Sequence, residues 1–186
     1  EAAWQAATMG IDVILFEMRP KVKTFAHQTE KLGEMVCSNS FRSNDHEQNA
    51  VGLLHWEMML ANGLIINTAY QNKLPAGGAL AVDREEFAEA ITRKINDHPK
   101  IRISNEEITT LPTEGRWIVA TGPLTSSRLA NSIAELSGAD ALAFFDAIAP
   151  IIYFDTIDMS KAWMQSRYDK GETEAVSYTH LTLPTI

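Results

Sequence analysis

Cys37, the only cysteine of the chain, lies in the run Glu34-Met35-Val36-Cys37-Ser38-Asn39-Ser40-Phe41-Arg42-Ser43, where a thiol is surrounded by hydroxyls, an amide and a guanidinium. A structural cysteine usually sits among apolar neighbours as a small hydrophobe. A reactive one needs partial exposure and nearby donors or positive charge to hold a thiolate. The composition of this run is that of a loop rather than a core and would allow nucleophilic thiol chemistry, with Ser38 and Arg42 as local donors, Arg42 being equally readable as a phosphate contact. A single thiol without a visible partner is more often an inert structural residue, so the surroundings must decide between the two readings.

A second constellation is an acid at the tip of a strand. Glu1 through Met9 is alanine-rich, reads as a helix and stops at Gly10, a natural C-terminal cap. Ile11-Asp12-Val13-Ile14-Leu15-Phe16 then reads as a buried strand ending at Glu17. Helix, glycine, strand and acid form half of a dinucleotide-binding βαβ unit, in which the acid bonds ribose hydroxyls and a glycine-rich turn precedes the helix. The pattern predicts a GxGxxG motif ending just before Glu1; the alternative for Glu17 is a plain strand-end carboxylate. Two small-residue turns add weaker signals. Pro75-Ala76-Gly77-Gly78 allows close backbone approach to a ligand or simply makes a turn, and Trp117-Ile118-Val119-Ala120 reads as a buried strand delivering Thr121-Gly122 to its carboxyl end.

The elements that must position these residues follow from periodicity. Val51, Leu54, Met58 and Ala61 recur at helical spacing and predict a core-facing helix over 50–62 that ends at Gly63. Asp83 and Glu86 fit a capping box for a helix whose apolar stripe is Phe87, Ile91 and Ile95, stopped by His98-Pro99. Strands are expected over 100–104, 107–111 and 117–123, a helix over 126–137 between hydroxyl caps and Gly138, and a strand over 148–154. The fold class this predicts is α/β. Residues 1–175 would be one unit, the N-terminal part of a larger domain. The uncharged tail 176–186 back-translates in one continuous frame to a transposase adaptor used in library preparation, so it is expected to be non-native and is set aside.

Composition narrows the classes further. The chain has 186 residues with a formal net charge of -8, which argues against a chain-wide electrostatic grip on nucleic acid. Local basic patches remain at Arg19, Lys21 and Lys23 and at Arg167 and Lys170, each also readable as a solvated face. No apolar run reaches the roughly 20 residues that span a bilayer, no signal peptide is visible at Glu1-Ala2-Ala3-Trp4, and one cysteine precludes an internal disulfide framework. Together these predict a cytoplasmic setting. His27, His46, His55 and His98 lack metal-ligand spacing, so no metal is expected, and the lack of a GxSxG or P-loop removes the common hydrolase and NTPase readings.

Taken in order, Phe16-Glu17-Met18-Arg19-Pro20, Val36-Cys37-Ser38-Asn39-Ser40, Pro75 to Arg84, Ala120 to Thr125 and Ser166-Arg167-Tyr168-Asp169-Lys170-Gly171 resemble the folate- and FAD-dependent tRNA (uracil-5-)-methyltransferase family. The resemblance covers about residues 1–174 and implies a glutathione-reductase-like, Rossmann-type FAD domain truncated at both ends. It implies methylation of the T-loop uridine of tRNA, with methylenetetrahydrofolate as carbon donor, reduced FAD as reductant and NAD(P)H to recharge the flavin. By motif position, Glu17 would hold the adenosine ribose, and Arg19, Ser38, Asn39, Gly77, Gly78, Thr121 and Gly122 would border the FAD. Cys37 would be the catalytic thiol or one of a pair, because the family carries a second cysteine in a segment beyond Glu174. The rival readings are another FAD-dependent tRNA-modifying enzyme or oxidoreductase of the same fold, or an inactive fragment.

Overall fold

The computed structural model describes residues 1–138, 154–161, 163–164 and 181–182. The chain divides into two units, one of Glu1–Glu30 with Lys94–Ile148 and one of Lys31–Arg93 with Ala149–Ile186.

In the first unit, α1 (Ala2–Thr8) closes at Gly10, whose N–H reaches the Ala7 carbonyl at 2.9 Å and whose φ of +90° turns the chain so that the Ile11 N–H reaches the Ala6 carbonyl at 3.1 Å. Strand β1 (Val13–Phe16) follows and pairs in parallel with a later strand, Ile101–Ser104, in the register Val13↔Ile101 to Phe16↔Ser104. The Glu17 N–H donates to the Ser104 carbonyl at 3.1 Å, so the ladder runs right up to the acid. A helix before a strand that pairs in parallel is a Rossmann-like α/β arrangement. Three expectations are corrected here. Ile14 is 47% exposed rather than buried, on a strand whose one ladder among the described residues is the parallel neighbour. Trp117 to Ala120 is not a strand: Ile118 is 74% exposed, and the segment runs into the short 3-10 turn Gly122–Leu124. Apolar, β-branched residues favour a strand only where a partner ladder receives them. The expected strand over 107–111 is likewise absent, and the Leu111 N–H instead donates to Ser132 Oγ at 3.0 Å. That serine lies on the helix Ser127–Ser137, which forms as expected with Ser126 as N-cap and Gly138 in the left-handed region; Leu129 is its buried residue.

The second unit is a three-stranded antiparallel sheet with helices. Over Lys31–Arg93 its elements are, in chain order, β2 (Ser40–Ser43), α2 (Ala50–Leu60), α3 (Leu64–Gln71), β3 (Lys73–Leu74) and β4 (Ala79–Val82). The sheet order is β2-β4-β3. Helix α4 (Arg84–Asn96) starts in this unit and ends in the first; the Ile101–Ser104 strand is β5 and Ser127–Ser137 is α5. Asp83 Oδ1 accepts the N–H groups of Glu85 and Glu86, both at 2.9 Å, which is the expected cap, and Phe87, Ile91 and Ile95 are all buried. Helix α3 was not expected. Its buried Leu64, Ile66, Thr68 and Ala69 lie in a run too mixed to show a period, and Asn62, at φ +54°, makes the reversal that separates it from α2. The predicted inner face of α2 is also wrong: Leu54 is exposed, whereas Gly52 and His55 are buried. Gly52 decides this, because it packs directly on the Asp45 carbonyl and only a residue without a side chain fits there.

His55 is the unit's buried titratable group. Its ring stands edge-on to Phe41 at 6.5 Å, and its Nδ1 has no partner among the described residues. Burial lowers the His55 pKa, and a hydrogen bond with the Ser43 backbone opposes that without reversing it. The unfolded chain therefore takes up the proton first as pH falls through about 6.5, and stability that is complete above that value is lost below it. Urea midpoints are expected to fall between pH 7.5 and pH 5.5, and His55→Leu is expected to flatten that dependence; an unchanged slope in the variant would remove His55 as its source.

The strand-like reading of 148–154 lies outside the described residues except for Phe154, which is in the short 3-10 turn Phe154–Thr156. The Ser166 to Gly171 motif lies outside them as well. Of the tail 176–186, only Leu181–Thr182 is described, as β7, paired antiparallel with β6 (Trp163–Met164).

Candidate functional site

The residues singled out by sequence divide between the units. Glu17, Arg19, Thr121 and Gly122 belong to the first, and Cys37, Ser38, Asn39, Gly77 and Gly78 to the second.

Because β1 ends at Phe16, Glu17 stands at the carboxyl end of a parallel strand, the position at which open α/β sheets meet ligands. Its carboxylate is held by Arg19. Nε of Arg19 donates to Oε1 at 3.0 Å, Nη2 to Oε2 at 3.2 Å and the Arg19 backbone N–H to Oε1 at 2.9 Å. Burial pushes the Glu17 carboxyl up, but the hydrogen bonds from Arg19, its charge and that of His27 outweigh burial and hold the group below the usual carboxylate range. Arg19 is only 5% exposed, so it is not part of a solvated basic patch with Lys21 and Lys23. Sequence reasoning missed its other partners, the Thr29 carbonyl and Asn105, because both contacts depend on how the segments after Arg19 and after β5 fold back.

Gly122, at φ +63°, opens the turn after Thr121, and a side chain there would meet nothing within 4 Å. The Thr121 and Thr125 hydroxyls lie 2.5 Å apart, and that of Thr125 donates to the Gly122 carbonyl at 2.7 Å. The result is an exposed, closely tied backbone turn.

In the second unit the cysteine run is seated on the junction of β4 and α4. Val82 N–H donates to the Asn39 carbonyl at 2.9 Å, and Asn39 Nδ2 returns a bond to the Val82 carbonyl at 3.1 Å. One residue into α4, Arg84 Nη2 donates to the Cys37 carbonyl at 3.4 Å. Cys37 is half-buried. Of the two donors expected near its thiol, Ser38 Oγ accepts the Ser40 N–H at 3.1 Å, and Arg42 sits in a bulge of β2 at φ +73° with its N–H on Ser40 Oγ. Arg84 is the cation that the fold brings to the Cys37 main chain, and only its place after Val82-Asp83 in the sequence could have signalled it. Gly77 and Gly78 form the hairpin turn between β3 and β4. Gly77 is at φ +60°, and the space where a Gly78 side chain would point is open.

Among the described residues, no group of three His, Cys, Asp or Glu side chains could hold a metal ion, and no helix is long and apolar enough to cross a membrane.

A helix leading into a parallel strand pair, with a fixed acid at the strand's carboxyl end, places the first unit in the Rossmann-like α/β class. The family profile described as Glucose inhibited division protein A matches residues 1–185, and the chain belongs to that family. It is 67% identical over 184 residues to the methylenetetrahydrofolate--tRNA-(uracil-5-)-methyltransferase TrmFO of Dinoroseobacter shibae, covering 99% of this chain and 41% of that protein. Proteins of the same name from Ruegeria sp. and Cereibacter sphaeroides are 67% and 64% identical over the same shares of both chains. The chain thus spans about two fifths (41%) of the length of these curated relatives.

Proposed function

We propose that this chain, within a polypeptide of the length its relatives have, serves the folate-dependent methylation of uracil C5 in the tRNA T-loop. The observation that carries the reading is the 67% identity, over 99% of the chain, to proteins named for that reaction. The partners are tRNA, methylenetetrahydrofolate and NAD(P)H, the setting is cytoplasmic, and the domain is of glutathione-reductase type with FAD as cofactor. The residues of the first unit suit that group: an ionised acid at a strand tip for the ribose, and an open glycine turn at Gly122 where backbone can approach closely. Bound reduced flavin supplies the two electrons that take the folate carbon from the formaldehyde level to methyl. Cys37 supplies the other requirement. Uracil C5 is a poor nucleophile until a soft nucleophile adds at C6 and leaves an enolate, and a thiolate is suited to that addition. Arg84 and Asn39 would hold the backbone from which the thiol is presented.

A full-length gene carrying this chain is expected to restore 5-methyluridine to the tRNA of a bacterial strain lacking it, read by nucleoside mass spectrometry. Purified full-length protein that binds FAD but restores none would favour a different tRNA-modifying flavoprotein or oxidoreductase of the same fold.

A further inference from the structure

The position of Arg19 does not fit a direct ligand contact. Its guanidinium is turned inward: Nε and Nη2 engage the two oxygens of Glu17, and Nη1 donates to the Thr29 carbonyl at 3.3 Å. Its own carbonyl accepts from Asn105 Nδ2 at 2.6 Å, which ties the segment after β1 to the residue following β5. Its side chain is 6% exposed and that of Glu17 22%. A pair this far from water returns little net stability, since well-packed apolar residues of similar volume usually serve as well or better. What the pair contributes is therefore sought in geometry.

The carboxylate's acceptor positions indicate that role. A carboxylate offers about four lone-pair positions, two on each oxygen. On Glu17, Oε1 takes the Arg19 N–H and Nε, and Oε2 takes Nη2 alone. Among the described residues one acceptor position remains, on Oε2. We propose that Arg19 is a positioning residue that fixes Glu17 ionised and in one orientation, so that Oε2 accepts a single ribose hydroxyl of the nucleotide, and that Arg19 itself touches no part of the ligand. This rests on the reading that a flavin dinucleotide binds at the end of β1. It replaces the expectation that Arg19 borders the cofactor. The charged groups acting on the carboxylate are Arg19 and His27.

The test is FAD binding to the full-length protein, followed by flavin fluorescence from pH 8 to pH 5, beside a carbon NMR titration of the Glu17 carboxyl. Wild-type affinity is expected to stay flat over that range. Arg19→Met is expected to weaken binding about tenfold at pH 7, to add a further loss towards pH 5, and to move the Glu17 titration upward. Arg19→Lys, which keeps the charge but not the fork, should fall between the two and serves if the methionine variant does not fold. Weaker binding with an unmoved Glu17 titration would make Arg19 a ligand contact and overturn the proposal, as would affinity unchanged within twofold. Failure of the wild type to bind FAD would overturn the flavin reading itself, an outcome distinct from either.

Discussion

Cys37→Ser in the full-length protein is expected to abolish formation of 5-methyluridine while leaving the fold and FAD binding in place. Oxygen replaces sulfur at nearly the same volume, and the contacts that seat the run use main chain: the Cys37 carbonyl on Arg84 and the Asn39 carbonyl on the Val82 N–H. A serine hydroxyl is a far weaker nucleophile at neutral pH than a cysteine thiol, which is partly ionised there. Loss of an attacking nucleophile in other covalent mechanisms costs on the order of 10⁴-fold or more in kcat. A fall of at least about 10³-fold in single-turnover methyl transfer is therefore expected here. Methylation that persists within tenfold would assign the addition to another group and leave Cys37 the inert thiol that its isolation in sequence first allowed.

The largest effect on stability is expected at Gly52. Intrinsic helix propensity argues for alanine there, by about 1 kcal/mol in a helix interior. Packing argues the other way, because an added side-chain carbon would overlap the Asp45 carbonyl and lie 2.8 Å from the His46 nitrogen. These are backbone atoms, so no rotamer change relieves the clash. The helix or the 45–46 segment would have to move, and overpacking of this kind costs about 3 kcal/mol, which outweighs the propensity gain. Gly52→Ala is expected to lower the urea midpoint of the second unit and to disturb Trp56, whose ring is stacked on His46 at 5.7 Å and reports the change by fluorescence. A stabilised variant would show that propensity, not contact, governs this position.

The cysteine run is seated by contacts with Val82 and Arg84, more than forty residues on, and Gly52 by a carbonyl that no periodicity announces, and that is where sequence reading and structure part. Where a signal is local, the residues carried it unaided. Asp83 caps α4 because its carboxylate reaches N–H groups two and three residues on, and Phe87, Ile91 and Ile95 are buried because four-residue spacing places them on one face. The stop at Gly10, the N-cap at Ser126 and the acid after β1 are legible for the same reason. The segment 117–120 failed because a strand is a pairing, and an apolar run does not state what it pairs with. The inner face of α2 failed because hydrophobicity alone does not reveal that a carbonyl from residue 45 occupies the groove beside Gly52.

For the candidate site, the sequence by itself determined the chemistry on offer: one thiol among polar neighbours, an acid at a strand tip, and glycines in turns. It also carried the family, through ordered motifs that the profile match over residues 1–185 bears out. Only the tertiary structure decided which groups act on which. It turned Arg19 inward onto Glu17, brought Arg84 to the Cys37 carbonyl across 47 residues, and placed Arg42 in a bulge. The physical reason is range. Caps and periodic faces are set within a turn or two of chain, whereas the orientation of a carboxylate or a cysteine backbone is set by hydrogen bonds from segments that only the completed fold brings within about 3 Å of each other.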